Sequence, residues 1–230
     1  MTAGWEIGVV VPARNEQATI VACVESIRRA LDASGRPGRV VVVADSCTDG
    51  TAPLAAAALG DQGVVLECRL GTAGAVRRLG TEWLLAHARW KPAGLWLAAT
   101  DADSFVPPHW LRSQLAFAAT GAAAVAGVVR LDPHCDPTLA RRFRSTYRLH
   151  PDGSHPHVHG ANLGVRADAY LDVGGWDALA TGEDNALWIR LKRSGWPTVS
   201  SVDVWVTTSA RRVGRAPSGF ASDLERLEPA

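Results

Sequence analysis

Short apolar runs, each too short for a buried helix, alternate along the first half of the chain with stretches of helical spacing. Residues 7–11 form a β-branched run stopped by Pro12, after which Ile20, Val24, Ile27 and Leu31 recur at helical spacing through a segment ending near Gly35. Residues 40–44 predict a second buried strand, and residues 45–50 turn into an alanine-rich helix closing at Gly60. Residues 64–66 predict a short third strand, and Gly71 and Gly74 precede a helix to about residue 88. A fourth strand is predicted at residues 95–100, opened by Pro92 and Gly94. Apolar strands alternating with helices predict an α/β domain with a parallel sheet and right-handed crossovers.

The second half is less regular. Pro107 and Pro108 start a helix to about residue 119, followed by a strand-like stretch at 123–129. Residues 132–159 are polar, include His155, His157 and His159, and are expected to form a loop. A short strand at 161–165, a helix from Gly182 to Gly195 with Leu187, Trp188 and Leu191 on one face, and a last strand at 199–206 complete the pattern. Residues 211–230 have weak periodicity. No internal repeat or linker divides the 230 residues, a length that suits one large domain.

Composition narrows the function. Hydrophobic residues at 47%, charged residues at 20% and a formal net charge of +1 describe a soluble globular chain with no global field to recruit nucleic acid or an anionic membrane. Only Lys91 and Lys192 are lysines, an arginine and alanine bias that suggests a GC-rich bacterial genome. Cys23, Cys47, Cys68 and Cys135 show no paired spacing, so free thiols in a reducing compartment are expected. The N-terminus lacks a basic n-region, and the most apolar stretch, residues 115–129, is too short to span a bilayer. These features together predict a cytoplasmic protein without an integral membrane segment.

Candidate chemistry sits where strands end. Asp101 and Asp103 follow the fourth apolar run directly, so two carboxylates emerge at the carboxyl edge of the sheet, where open α/β sheets keep their ligands. Two such carboxylates call for a positive partner, and a divalent cation that also grips a phosphate would serve; a solvated acidic turn is the plainer alternative. The other strand ends deliver Pro12-Ala13-Arg14-Asn15-Glu16, Asp45 with its following turn, and the Gly71 to Gly80 segment containing Arg77. Each alone is explained by capping or turn chemistry, but together they converge in space.

These motifs resemble those of the family 2 glycosyltransferases, which have the GT-A fold. V-V-V-P-A-R-N-E resembles their first-strand P-x-x-N-E pattern, and V-V-V-A-D-S-C-T-D-G-T resembles V-V-D-D-G-S-T-D-G-T, with Asp45 at the second aspartate and Ala44 in place of the first. R-R-L-G resembles R-N-x-G with Arg77 at the arginine, and D-A-D is their metal motif. G-A-N-L-G, G-G-W-D and T-G-E-D-N-A-L-W-I-R-L resemble the acceptor-side block, in which a glutamate-aspartate pair opens a helix. The match runs in order from about residue 7 to residue 195.

The resemblance implies a GT-A, Rossmann-like domain with a mostly parallel sheet flanked by helices. Residues 5–104 would bind the nucleotide sugar, 105–208 would form a smaller acceptor side, and 209–230 a basic tail. It implies metal-dependent, inverting transfer from a nucleotide-diphosphate sugar to an acceptor hydroxyl, the acceptor being a small molecule or lipid-linked. Pro12, Ala13, Arg14, Glu16, Asp45, Arg77, Asp101 and Asp103 would bind the donor. Asp103, with Asp101, would hold Mg²⁺ or Mn²⁺, Asp184 would act as general base and Glu183 would orient it. His157 and His159, if extended, share one face; a polar loop bordering the acceptor pocket is preferred over a metal site. Residues 211–215 form either a solvated tail or a lid placing guanidinium groups over the diphosphate. A nucleotidyltransferase is disfavoured because a glycine-rich basic loop does not follow the first strand, and a non-catalytic binding module because Asp103 and Asp184 are both present.

Overall fold

Both faces of the strands are covered, which is why they read as unbroken apolar runs rather than alternating ones. A computed structural model describes residues 4–211. Its first half contains β1 (Glu6–Ala13), α1 (Ile20–Ser34), β2 (Gly38–Asp45), α2 (Thr51–Leu59), β3 (Gly63–Cys68), α3 (Ala73–Ala86) and β4 (Leu95–Ala99). Val9, Val11, Val40 and Val42 pack with Ile20, Val24 and Ile27 of α1 in one core. Val10, Val41 and Val43 face the other way, into a second core with Val76 and Leu84 of α3. The pleat alone sorts consecutive valines into the two layers. At Gly80 an added Cβ would lie 2.5 Å from Val10 and 2.8 Å from Val43, so the glycine of R-R-L-G is what lets α3 lie so close to the sheet.

The second half adds β5 (Ser104–Phe105), α4 (Trp110–Ala119), β6 (Ala124–Leu131), α5 (Pro137–Thr146), β7 (Leu163–Arg166), α6 (Ala167–Asp172), α7 (Glu183–Arg193) and β8 (Thr198–Thr208). One sheet runs through both halves in the order β3-β2-β1-β4-β7-β6-β8-β5. The pairs β1–β2, β1–β4, β2–β3 and β6–β8 are parallel. β7 runs antiparallel between β4 and β6, and β5 antiparallel to β8, so the sheet is mostly parallel, as the resemblance implied. A four-residue strand and a two-residue strand carry too little periodicity to reveal their direction. None of the helices among the described residues is long and apolar enough to cross a membrane.

The loop expected over 132–159 contains α5. Asp136 caps it by accepting from the Leu139 amide at 2.8 Å, and Pro137 opens it. Leu139 and Phe143 form a small separate core against Leu131 and Tyr147. Two apolar anchors among arginines gave too weak a helical signal beside the flanking prolines and histidines. The basic tail at 211–215 lies outside the described residues except for Arg211.

Asn162 ties the second half together. β6 and β8 lose register between Gly127 and Val128, where Gly127 faces Ser201 but Val128 faces Trp205. Asn162 fills the gap: its Nδ2 donates to the Val128 carbonyl at 2.9 Å and the Val204 carbonyl at 3.1 Å, while its Oδ1 accepts from Trp110 Nε1 at 2.9 Å. All of this is fully buried. Asn162→Leu should therefore destabilise the fold by about 2–4 kcal/mol, since it leaves a buried indole N–H and two carbonyls short of partners. Denaturant melts check this; an unchanged midpoint would refute the role assigned to Asn162.

Candidate active site

The carboxyl ends of β1, β2 and β4 and the start of α7 surround one cavity of about 800 Å³. Pro12, Ala13, Arg14, Glu16, Asp45, Arg77, Asp101, Asp103, Glu183 and Asp184 all line it. Every residue that the sequence nominated is thus at one place.

Local backbone chemistry fixes the donor-side loops. Asn15 adopts a left-handed φ of 53°, which its short polar side chain tolerates, and its Oδ1 accepts from the Thr48 amide at 2.8 Å. The Glu16 amide donates to Thr51 Oγ1 at 2.7 Å. The loop after β1 is thereby latched to the loop after β2. Asp45 Oδ1 accepts from the Leu70 amide at 2.6 Å, which latches β2 to the loop leading into α3. Asp49, the second aspartate of that motif, caps α2 through the Thr51 amide at 3.0 Å.

Arg77 is buried, and its guanidinium donates to Asp101 at 2.5 Å and to Glu183. Trp176 of G-G-W-D lies beneath it, 5.6 Å from ring centroid to guanidinium carbon. Gly160 lies so near that a Cβ would meet the guanidinium at 2.5 Å. Burial alone would lower the Arg77 pKa, but Asp101 and Glu183 overcome it and raise it. Glu183 is itself pushed up by burial, which Arg77 only partly offsets. Sequence reasoning gave Arg77 a phosphate and missed this bridge from α3 to β4 and α7. The partners lie 24 and 106 residues from it in the chain, and no local pattern encodes such a contact.

Asp103 is held beside β8: Ser209 donates its amide to the Asp103 carbonyl at 3.1 Å, and Thr208 Oγ1 approaches Asp103 Oδ1 at 3.5 Å. Burial, then the Asp101 charge, push the Asp103 carboxyl up to about 6, against the opposing pull of Arg211. Arg211 bonds Glu16 and lies 3.1 Å from Asp103. Two carboxylates at the end of β4, one strained by burial and by its neighbour's charge, present an all-oxygen donor set that fits Mg²⁺ or Mn²⁺.

Asp184 accepts from the Gly160 amide (2.7 Å, Oδ2) and the Asn185 amide (2.7 Å, Oδ1), so both oxygens are oriented by backbone. His157 and His159 do share a face, with rings 5.9 Å apart and nearly coplanar in stacking. Tyr147 stacks on His157 and its hydroxyl lies 3.0 Å from His159 Nε2. That hydroxyl also accepts from the Val129 amide at 3.1 Å. Burial lowers His159 to about 4 despite the Asp184 charge, so the ring is neutral at neutral pH. Tyr147 was not foreseen, because the helix that delivers it was not.

A family model described as "Glycosyltransferase like family 2" matches residues 4–224. Among solved structures, the chain is similar to a mannosyltransferase from Pyrobaculum calidifontis in complex with GDP-Man and Mn²⁺, at 20% identity and TM-score 0.67, covering 95% of this chain and 68% of that one. It is also similar to S. aureus TarS 1–349 in complex with UDP-GlcNAc (15% identity, TM-score 0.65, covering 96% and 64%). A third is M. tuberculosis glucosyl-3-phosphoglycerate synthase (19%, TM-score 0.60, covering 97% and 78%). Such likenesses fix the GT-A architecture. The chain spans roughly two thirds of the first two structures. None of the curated proteins matches it.

The raised Asp103 carboxyl makes a pH-dependent prediction. Its folded value of about 6 exceeds the ordinary 3.8, so the stability it contributes is present below 3.8 and lost as pH rises through about 6. Asp103→Asn should therefore raise the melting temperature of the metal-free protein at pH 7.5, by of order 2 kcal/mol or about 5 °C, with the gain fading toward pH 4. A pH series of thermal melts checks it, and a lower melting temperature at pH 7.5 would count against the account of the site.

Proposed function

Because the chain belongs to glycosyltransferase-like family 2, we propose that it moves a sugar from a nucleoside-diphosphate sugar to an acceptor hydroxyl, with a divalent cation and with inversion at the anomeric carbon. The observation that carries this reading is the gathering of Glu16, Asp45, Asp101, Asp103 and Asp184 around one cavity. The nucleotide-sugar complexes of the mannosyltransferase and of TarS lend it support.

Each residue has a distinct task. Asp45 Oδ1 accepts from the Leu70 amide and lies near the Ser46 hydroxyl and Cys68 thiol, while Oδ2 accepts from the Gly71 amide at 3.1 Å, so the lone pair left on Oδ2 suits a base or ribose donor. Arg14, exposed at the cavity wall, supplies charge toward the phosphates. Asp103, with Asp101 beside it, would hold Mg²⁺ or Mn²⁺, which when bound offsets the charge building on the departing diphosphate. Arg77 contributes to this cluster as a brace rather than as a phosphate ligand: it holds Asp101 and Glu183 in place.

Asp184 takes the proton of the attacking hydroxyl. Its N–H bonds hold the carboxylate at one angle; Oδ1 accepts from the amide and the side chain of Asn185, and Oδ2, with one bond from Gly160, retains a lone pair. Proton transfer helps most as the hydroxyl attacks and acidifies, a contribution of about 10²–10⁴-fold. The neutral His159 lies on the acceptor side of that carboxylate, where an imidazolium would have lowered its basicity. A single displacement from this side gives inversion.

Thermal-shift measurements with nucleoside diphosphates and their sugars, with and without Mn²⁺, should show metal-dependent stabilisation that disappears in Asp103→Asn. A panel flat under every condition would sink the proposal. Asp184→Asn should keep nucleotide affinity within about threefold while transfer falls by about 10²–10⁴-fold. Wild-type turnover in that variant would remove Asp184 from the role of base.

A further inference from the structure

Arg211 is the described cation that touches Asp103. Its guanidinium bonds Glu16 and lies 3.1 Å from Asp103 Oδ2, and it lines the same cavity as Asp101 and Asp184. Its side chain is 30% exposed, whereas those of Glu16 and Asp103 are 7% and 10% exposed. The two carboxylates are therefore fixed in the wall and the arginine reaches in to them. Asp103 is anchored at two points, by the Ser209 amide on its carbonyl and by Thr208 of β8 beside its carboxylate, and Thr208 is itself bonded to Ser104. Glu16 is anchored through its amide on Thr51 and its carbonyl on the Thr19 and Ile20 amides. Arg211 follows β8 directly, at the edge of the described chain.

We propose that Arg211 is the resident counter-cation of the Asp103–Glu16 pair, that a divalent ion must displace it, and that its guanidinium then passes to the donor's diphosphate. This rests on the reading of the cavity as a nucleotide-sugar site. The charges argue for it. A divalent ion held by Asp103 displaces the guanidinium from that carboxylate and leaves it with Glu16 alone, which opposes binding. A nucleoside diphosphate arriving with the ion gives the guanidinium a bidentate acceptor in place of the one it lost. The ion and the nucleotide therefore bind as a set, each raising the affinity for the other, and reciprocity requires the same factor in both directions. Arg77 does not substitute, because its guanidinium is committed to Asp101 and Glu183.

The test uses the full 230-residue chain and measures Mn²⁺ binding from the free-ion EPR signal, alone and with saturating UDP or GDP. Wild type should bind Mn²⁺ weakly alone and at least tenfold more tightly with the diphosphate, within the usual 5–150-fold span of such couplings. In Arg211→Gln, Mn²⁺ alone should bind about tenfold more tightly and the diphosphate about tenfold more weakly, so that the coupling collapses; Arg211→Lys should restore part of it. Opposite signs in one variant exclude simple misfolding, which weakens both. If wild type couples the two ligands and Arg211→Gln changes neither affinity, or weakens both, the proposal for Arg211 is overturned while the nucleotide site stands. If neither diphosphate binds wild type under any condition, the nucleotide-sugar reading itself falls and takes this inference with it.

Discussion

Arg77 carries a buried charge to the cavity, and the rim of the sheet is built around pairing it. Its guanidinium joins α3 to the end of β4 through Asp101 and to the start of α7 through Glu183. Removing one partner from such a buried pair leaves a charge without compensation, a loss of about 3–5 kcal/mol. Local packing adds to the commitment: Trp176 lies under the guanidinium, Gly160 passes over it, and Trp176 Nε1 in turn donates to Thr81 of the same helix at 3.2 Å. The G-G-W-D motif is held from behind by Arg190, which bonds Asp177 and the carbonyl of Val173. Donor loops and acceptor helix thus share a single hub, and Asp101 and Asp184 take fixed positions relative to each other because of it.

Around that hub the carboxylates outnumber what folding needs. Asp45, Asp101, Asp103, Glu16, Glu183 and Asp184 face one cavity, while Arg77 and Arg211 pair with four of them. Burial, and then the neighbouring Asp101 charge, push the Asp103 carboxyl up to about 6. A chain selected for stability alone would place an amide there. Strain of this kind, concentrated at one position and offset elsewhere by a fully packed sheet, is characteristic of sites kept for binding or catalysis. On the proposed reading it gives the D-A-D motif a meaning that spacing alone cannot: Asp103 is a metal ligand whose present positive partner is Arg211.

The donor half was legible because its signals are local. β-branched runs buried on both faces, Gly35 in the left-handed region closing α1, and Asp45 and Asn15 at strand ends are each readable within a few residues. The same locality explains the misses. α5 hides because its apolar face is only Leu139 and Phe143. The antiparallel β7 hides because Leu163–Arg166 is too short to show direction. Arg77 was found as a residue but its bond to Glu183 was not, since Glu183 lies 106 positions away. Family motifs brought these residues to one site but could not say which of them touch.

The two sides of the cavity are also held by different means, and this bears on where acceptor choice resides. Donor loops are latched by backbone amides on Asn15, Thr51, Asp45 and Asp49, bonds that tolerate change elsewhere in the loop. The opposite wall depends on side chains meeting side chains: Tyr147 from the end of α5 stacks on His157 and orders His159, and Phe143 packs on Tyr147 in turn. Replacing any one of those rings alters the position of the others and the wall they present beside Asp184. On the proposed reading, then, the nucleotide is recognised by a frame that the sheet itself dictates, whereas the acceptor is recognised by α5 and the histidine stack. Loops carried on a shared scaffold are where such differences in recognition are expected.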